Sequence, residues 1–339
     1  MLLYIVACIL SILGNNIPDI FQSEFRLLSF CVMIWAIGPL NKGEGSLEFK
    51  WSFWRKLNQV IVWGTVISFF GYLVHFPLFN GISGFNGFTN HSMTMSSLGG
   101  ISFLILFYLF FNEKDKEFHS NKKKWIFLCG TILSILVCFL GASRGALIST
   151  FIAIFFYLWF YLNNIVTFIK YLIVSLVFIL LSSPIWYPYT EQMREKTEQR
   201  EESGGQFSSR EAKWTARLDE FVSSPILGIG FASIDYQKHS DEIRPNGGVE
   251  PGSSWFFILS SVGLLGFLFF IFLIIKPIML YCINSFCFSS TSLLVISLLV
   301  WRVVHLSIEG YIMAAGDFSF IYTWLLVALA NDVINKKYI

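Results

Sequence analysis

Five arginines (Arg144, Arg210, Arg217, Arg244 and Arg302), two glutamates (Glu250 and Glu309) and His305 are the side chains of this chain whose types suit one chemistry. An arginine fork binds phosphate oxygens bidentately and never loses its charge. A carboxylate or an imidazole can take a proton from a hydroxyl. Cations and bases gathered in one place fit group transfer from a diphosphate-linked donor, in which fixed positive charge stabilises the departing diphosphate. Metal ligands do not enter this reading. No Asp-x-Asp pair occurs, and the nearest approach to one, Glu113 with Asp115, falls among cytoplasmic lysines, so neither metal nor cofactor is expected.

The elements that must position these groups are membrane helices. The chain has 339 residues, 55% of them hydrophobic and only 14% charged, with mean hydropathy +0.63, whereas soluble domains carry roughly 25% charged residues. Crossing the hydrocarbon takes about 20 apolar residues. Apolar runs lie near 2–14, 25–40, 57–76, 94–112, 125–142, 145–162, 164–183, 253–275, 290–306 and 312–330. The expected fold is therefore all-α, a polytopic bundle of about ten transmembrane helices with one large extracytoplasmic loop. Residues 1–14 lack a basic leader and are read as a retained first helix. The division along the chain is a seven-helix membrane region over 1–183, the loop over 184–252 and a three-helix region over 253–339. A net charge of +2 gives no reason to expect nucleic acid as a partner. The six cysteines lie in apolar runs or a short connection and predict no disulfide framework.

Short cytoplasmic loops are enriched in lysine and arginine. Residues 41–56 hold Lys42, Lys50, Arg55 and Lys56, and residues 112–124 hold Lys114, Lys116, Lys122, Lys123 and Lys124; 77–93, between them, holds neither residue type. Both basic segments belong inside, with Lys276, Lys336 and Lys337. The loop 184–252 then faces out, and both termini are cytoplasmic.

Within that loop, 187–209 reads as a mobile polar helix followed by a hinge at Gly204 and Gly205. Ser208 and Glu211 have capping-box spacing, Trp214, Leu218, Phe221 and Val222 follow at helical spacing, and Pro225 ends the run. This predicts an amphipathic helix whose apolar stripe rests on the membrane domain or the headgroup boundary. Arg210 and Arg217 flank Trp214 near one face, beside the level of an anionic headgroup, although snorkelling explains such a pattern without a ligand. The turn SPILGIGFAS (224–233) has small residues that permit close backbone approach. NGGVEPGSSW (246–255) leads into the next helix and sets Glu250 at the outer surface. Arg144 lies in the outer turn GASRGA (141–146), and Arg302, His305 and Glu309 gather at the outer end of the ninth helix, so all meet the loop on one side of the membrane. Ionisable groups beside membrane spans are functional candidates, with paired structural charges as the alternative.

SRGA on an outer turn, Arg-x-x-x-Trp, SPILGIG and the helix FILSSVGLLGFLFF occur in an order that resembles the O-antigen ligase/polymerase family of bacterial envelope glycan assembly, over roughly residues 90–330. The resemblance implies a metal-independent membrane glycosyltransferase of the bacterial plasma (inner) membrane with its active site on the extracytoplasmic face. Its substrate would be undecaprenyl-diphosphate-linked glycan, with the lipid bilayer, a flippase and a chain-length regulator as further partners. Arg144 and Arg210 match family arginines that would contact the donor diphosphate. Arg217, Arg244, Trp214, Arg302, His305 and Glu309 are the further residues expected to bind substrate. Ligases of the family carry a His-Asn pair where this chain has Gly252 and Ser253, and Glu250 is the nearest ionisable group. The expectation is a polymerase with Glu250 as base and His305 or Glu309 as substitutes. A ligase passing glycan to a lipid A core or protein, and a transporter of lipid-linked sugars, are the alternatives.

Overall fold

A computed structural model describes residues 1–15, 22–81, 84–112, 121–202, 208–237, 250–284 and 289–335. The helices are α1 (Leu2–Gly14), α2 (Ser23–Ala36), α3 (Glu44–Leu73), α4 (Ser92–Asn112), α5 (Asn121–Leu140), α6 (Arg144–Leu162), α7 (Ile165–Leu181), α8 (Ser183–Trp186), α9 (Glu191–Glu202), α10 (Ser208–Ser223), α11 (Ser254–Ile283), α12 (Ser290–His305) and α13 (Phe318–Ile334). Two-residue strands β1 (Asn80–Gly81) and β2 (Gly84–Phe85) pair antiparallel, Asn80 opposite Phe85. Each apolar run of the sequence overlaps a helix. Among the described residues, four helices (α4, α5, α6 and α11) are long and apolar enough to cross a membrane, and α1, α7, α12 and α13 are apolar but shorter.

Local signals set the ends. Ser143 caps α6 by accepting from the Ala146 N–H, and Asn163 closes it in the left-handed region. Asp317 caps α13 through the Ser319 N–H. Some boundaries differ from expectation: α13 starts at Phe318, six residues into the run 312–330, α11 continues to Ile283, and α3 starts at Glu44, so most of the basic segment 41–56 is helix rather than loop. Lys50 is buried there, its Nζ donating to the Asn41 carbonyl at 2.5 Å.

The described chain forms two compact units that gather distant segments. The first comprises Met1–Ser52, Gly205–Phe286 and Arg302–Ile339; the second comprises Phe53–Gly204 and Cys287–Trp301. In the first, α13 is buried along most of its length, and Trp324 anchors an aromatic core with Phe30 edge-on at 5.4 Å, Phe270 at 6.1 Å and Tyr4 at 6.4 Å. In the second, α4 and α5 meet along a seam of small residues. Ser96 donates to the Cys138 carbonyl at 2.7 Å and the Ser102 and Ser134 hydroxyls bond at 2.8 Å. A Cβ on Gly99 would sit 2.8 Å from the Cys138 nitrogen. Small residues and serine bonds are what hold helices together where lipid offers no hydrophobic drive.

Candidate functional site

The site is built in the first unit around a break in α11. Gly263 leaves helical conformation (φ 64°, ψ −172°), nine residues after the helix begins. The break strips the Leu264 and Leu265 N–H groups and the Ser260 and Ser261 carbonyls of their partners within the helix. The turn 224–233 replaces all four. Leu264 donates to the Pro225 carbonyl (2.9 Å) and Leu265 to Ile226 (3.3 Å), while Ile229 donates to Ser260 (2.9 Å) and Gly230 to Ser261 (3.1 Å). Irregular backbone at this depth survives only when every polar group is paired again. Glycine is required on both sides of the contact: a Cβ on Gly228 would lie 2.4 Å from the Ser261 carbonyl carbon, and one on Gly263 2.3 Å from the Ile226 oxygen. The close backbone approach expected of SPILGIGFAS is therefore directed at α11. From α1 and its end, Ser11 Oγ adds a bond to the Ser261 carbonyl (2.6 Å), and Asn15 Nδ2 one to Gly228 (2.8 Å).

Packed between turn and helix, α10 splits its apolar stripe between buried and exposed positions. Leu218 and Val222 point outward, 40% and 73% exposed, and Trp214 and Phe221 are half-buried. The buried positions include Arg217 and Glu220, at 1% and 0% exposure. Arg217 Nη1 donates to Glu220 Oε2 at 2.8 Å, and its guanidinium lies 4.8 Å over the Phe257 ring; Glu220 Oε1 accepts the Asp235 N–H at 2.9 Å. Arg217, expected at headgroup level, is thus a buried ion-pair member that ties α10 to the loop and to α11. Trp214 packs against Phe256 with centroids 5.8 Å apart.

One turn earlier on α10, four charges meet. Lys213 Nζ donates to Glu250 Oε2 at 2.9 Å. Arg210 donates to the carbonyls of Gly252 (2.8 Å) and Ile308 and stands 3.5 Å from Glu309 Oε1. Backbone holds the acids in place: the Ser254 N–H at the start of α11 donates to the carbonyls of Leu306 (2.9 Å) and Glu309 (3.0 Å), and its Oγ to Glu309 (2.5 Å). Burial, opposed by Arg210 and reinforced by the negative charge of Glu250, pushes the Glu309 carboxyl up to about 7. A carboxyl that titrates there can exchange a proton at neutral pH. Glu250, first choice as base from the sequence, lies in the same cluster, paired with Lys213.

Behind this set, Arg302 and His305 are buried. The Tyr311 hydroxyl is 3.3 Å from Arg302 Nη1 and 3.0 Å from His305 Nδ1, and the guanidinium lies 4.9 Å from the Tyr322 ring centroid. Arg144 belongs to the second unit, half-buried as the first residue of α6. A cation there opposes the helix dipole, whereas helix end and cation alike favour an anion. Arg244 lies outside the described residues, as do Gly204, Gly205, Lys336 and Lys337. Lys213 is the site residue that the sequence reading missed; its three-residue spacing from Arg210 was the available signal. A family model described as O-antigen ligase matches residues 129–271, taking in Arg144, Arg210, Lys213, Arg217 and Glu250. No curated protein matches the chain.

Proposed function

With residues 129–271 matching the O-antigen ligase family model, we propose that the protein is a polysaccharide polymerase that extends undecaprenyl-diphosphate-linked glycan outside the bacterial plasma membrane. A growing chain leaves its carrier for a hydroxyl of another lipid-linked repeat unit. The acceptor oxygen bonds to the anomeric carbon, the bond from that carbon to the diphosphate oxygen breaks, and its electron pair departs with the carrier diphosphate. The hydroxyl proton goes to the Glu309 carboxylate.

The observation that carries this reading is the convergence of Arg210, Lys213, Glu250 and Glu309 beside the broken helix, with Glu309 the member whose affinity for protons matches neutral pH. Arg210 holds Glu309 and, with Lys213, supplies positive charge for the departing diphosphate. Glu250 keeps Lys213 oriented and raises the proton affinity of Glu309. Arg144 contributes a donor contact on the strength of the family motif.

The ligase reading has the description of the matching family in its favour; Gly252 and Ser253, at the place of the His-Asn pair, favour the polymerase. Sizing lipid-linked glycans after gene deletion decides between them. Single repeat units accumulate if the protein is a polymerase; long chains still attached to the carrier overturn that reading in favour of the ligase. Flipping of lipid-linked units without chain growth, by purified protein in liposomes, would remove both.

A further inference from the structure

The second unit carries a groove of about 760 Å³ between α3, α4, α5 and the start of α12, lined by none of the candidate site residues. Its walls are apolar, formed by Val62 and Val66 of α3, Ile105 and Leu109 of α4, Leu133 of α5 and Leu294 of α12. Its polar groups are few: Arg55, Asn58 and Gln59 on α3, with Tyr108 and Thr291, whose hydroxyls bond each other at 3.0 Å.

We propose that this groove binds one anionic membrane lipid, a hydrocarbon chain lying along it and the phosphate held at Arg55. Three observations select that occupant. The first is depth. Along α3 the lining runs from Arg55 to Val66, eleven residues or about 16 Å at 1.5 Å per residue, and along α5 from Trp125 to Leu133, about 12 Å. Half of a hydrocarbon core of about 30 Å is the same distance, so the groove spans one leaflet and stops. The second is the sequence of chemistry along it. At one end stand exposed Arg55 and Trp125, the latter immediately after Lys122, Lys123 and Lys124. A cation and an indole mark the headgroup level. Beyond them Trp63, 65% exposed, and aliphatic side chains continue inward, as a lipid continues from phosphate to tail. The third is shape. Gly130 faces the groove where a Cβ would come 3.0 Å from Leu106, so the floor is open where an ordinary residue would narrow it. The proposal rests on the helices of this unit crossing the bilayer and is independent of the transferase chemistry.

Native mass spectrometry of the full chain, released from detergent and titrated with phosphatidylglycerol or phosphatidylcholine of identical acyl chains, tests it. One phosphatidylglycerol is retained at about fivefold the occupancy of phosphatidylcholine, the preference that one juxtamembrane cation confers. Arg55→Gln removes the preference and leaves chain binding, whereas Leu133→Trp, which fills the groove, removes retention of both lipids while the melting temperature is kept. Brominated acyl chains quench tryptophan emission in the wild type and quench the Trp63→Phe, Trp125→Phe double variant less. Equal retention of the two lipids, unchanged retention in Leu133→Trp, displacement by millimolar inorganic phosphate, or a second copy of the chain as the species lost in Leu133→Trp would each overturn the assignment.

Discussion

With Glu309 as the proposed proton acceptor, neutralising its neighbours moves the pH dependence of catalysis in directions that can be stated beforehand. With its carboxyl at about 7, the active carboxylate is about a tenth populated at pH 6, about half at pH 7 and nearly full at pH 8, and turnover follows. Glu250→Gln removes a negative charge that raises Glu309 and frees Lys213 to lower it; both effects act together, and the rising limb moves toward acid. Lys213→Met does the reverse, moving the limb toward alkali. Glu309→Gln abolishes the limb and lowers turnover about 10²- to 10⁴-fold, the usual worth of a general base. Stability carries the same signature with its own sign. Because the folded carboxyl is raised from 4.5 to about 7, the protonated form is the one that folding favours. Stability therefore falls between about pH 4.5 and about pH 7 and levels off above, by about 3 kcal/mol in all; the Gln variant loses that slope. The assay is incorporation of labelled lipid-linked repeat units into longer chains by proteoliposomes, read from pH 5 to pH 9 at matched protein. A limb that stays in place in Glu250→Gln and Lys213→Met, or that survives in Glu309→Gln, refutes Glu309 as the proton acceptor.

Three further outcomes follow from the geometry. Glu220→Ala leaves the buried Arg217 without its carboxylate and the Asp235 N–H without its acceptor, costing about 3–5 kcal/mol, whereas Arg217→Met combined with Glu220→Leu costs far less; thermal melts in detergent distinguish them, and a cost below about 1 kcal/mol for Glu220→Ala contradicts the pairing. Gly228→Ala and Gly263→Ala each drive a methyl group into backbone across the α11 break, and each lowers stability by at least about 2 kcal/mol with loss of chain growth; a variant that melts like the wild type shows that turn and helix are not in contact. Arg144→Ala lowers turnover about 10²- to 10³-fold without lowering the melting temperature, because a cation at the start of α6 adds nothing to that helix; a lowered melting temperature with normal chain length would make Arg144 structural.

What the sequence made legible followed from strong local signals. Runs such as 94–112 and 253–275 can only be helices once water is not the solvent, and α10 begins at Ser208 and stops before Pro225 where its spacing said it should. What stayed hidden depended on pairings across the chain. The stripe Trp214, Leu218, Phe221 and Val222 predicts a face resting on the membrane domain or the headgroup boundary, and it does not reveal that Arg217 and Glu220 are the deeper pair: two opposite charges three residues apart cancel in low dielectric and can enter the core where either alone could not. Glu250 is the natural base by position, and its pairing with Lys213, 37 residues away, is a contact that position alone does not announce. Glu309 does not stand out in the sequence because its burial comes from the start of α11 folding back on the 306–309 turn, a contact that no local pattern announces. Gly263 shows the same limit from the other side. In the sequence it is a small residue inside an apolar run that would span a membrane unbroken, and its left-handed conformation has meaning only with Pro225, Ile226 and Gly228 beside it. A helix broken there without the turn would leave four backbone groups unpaired in an apolar setting. Turn and break therefore form together, and the segments carrying Arg210 and Glu309 are brought to the same end of α11 as a consequence. The chemistry of this site is set by backbone pairing first and by charge second.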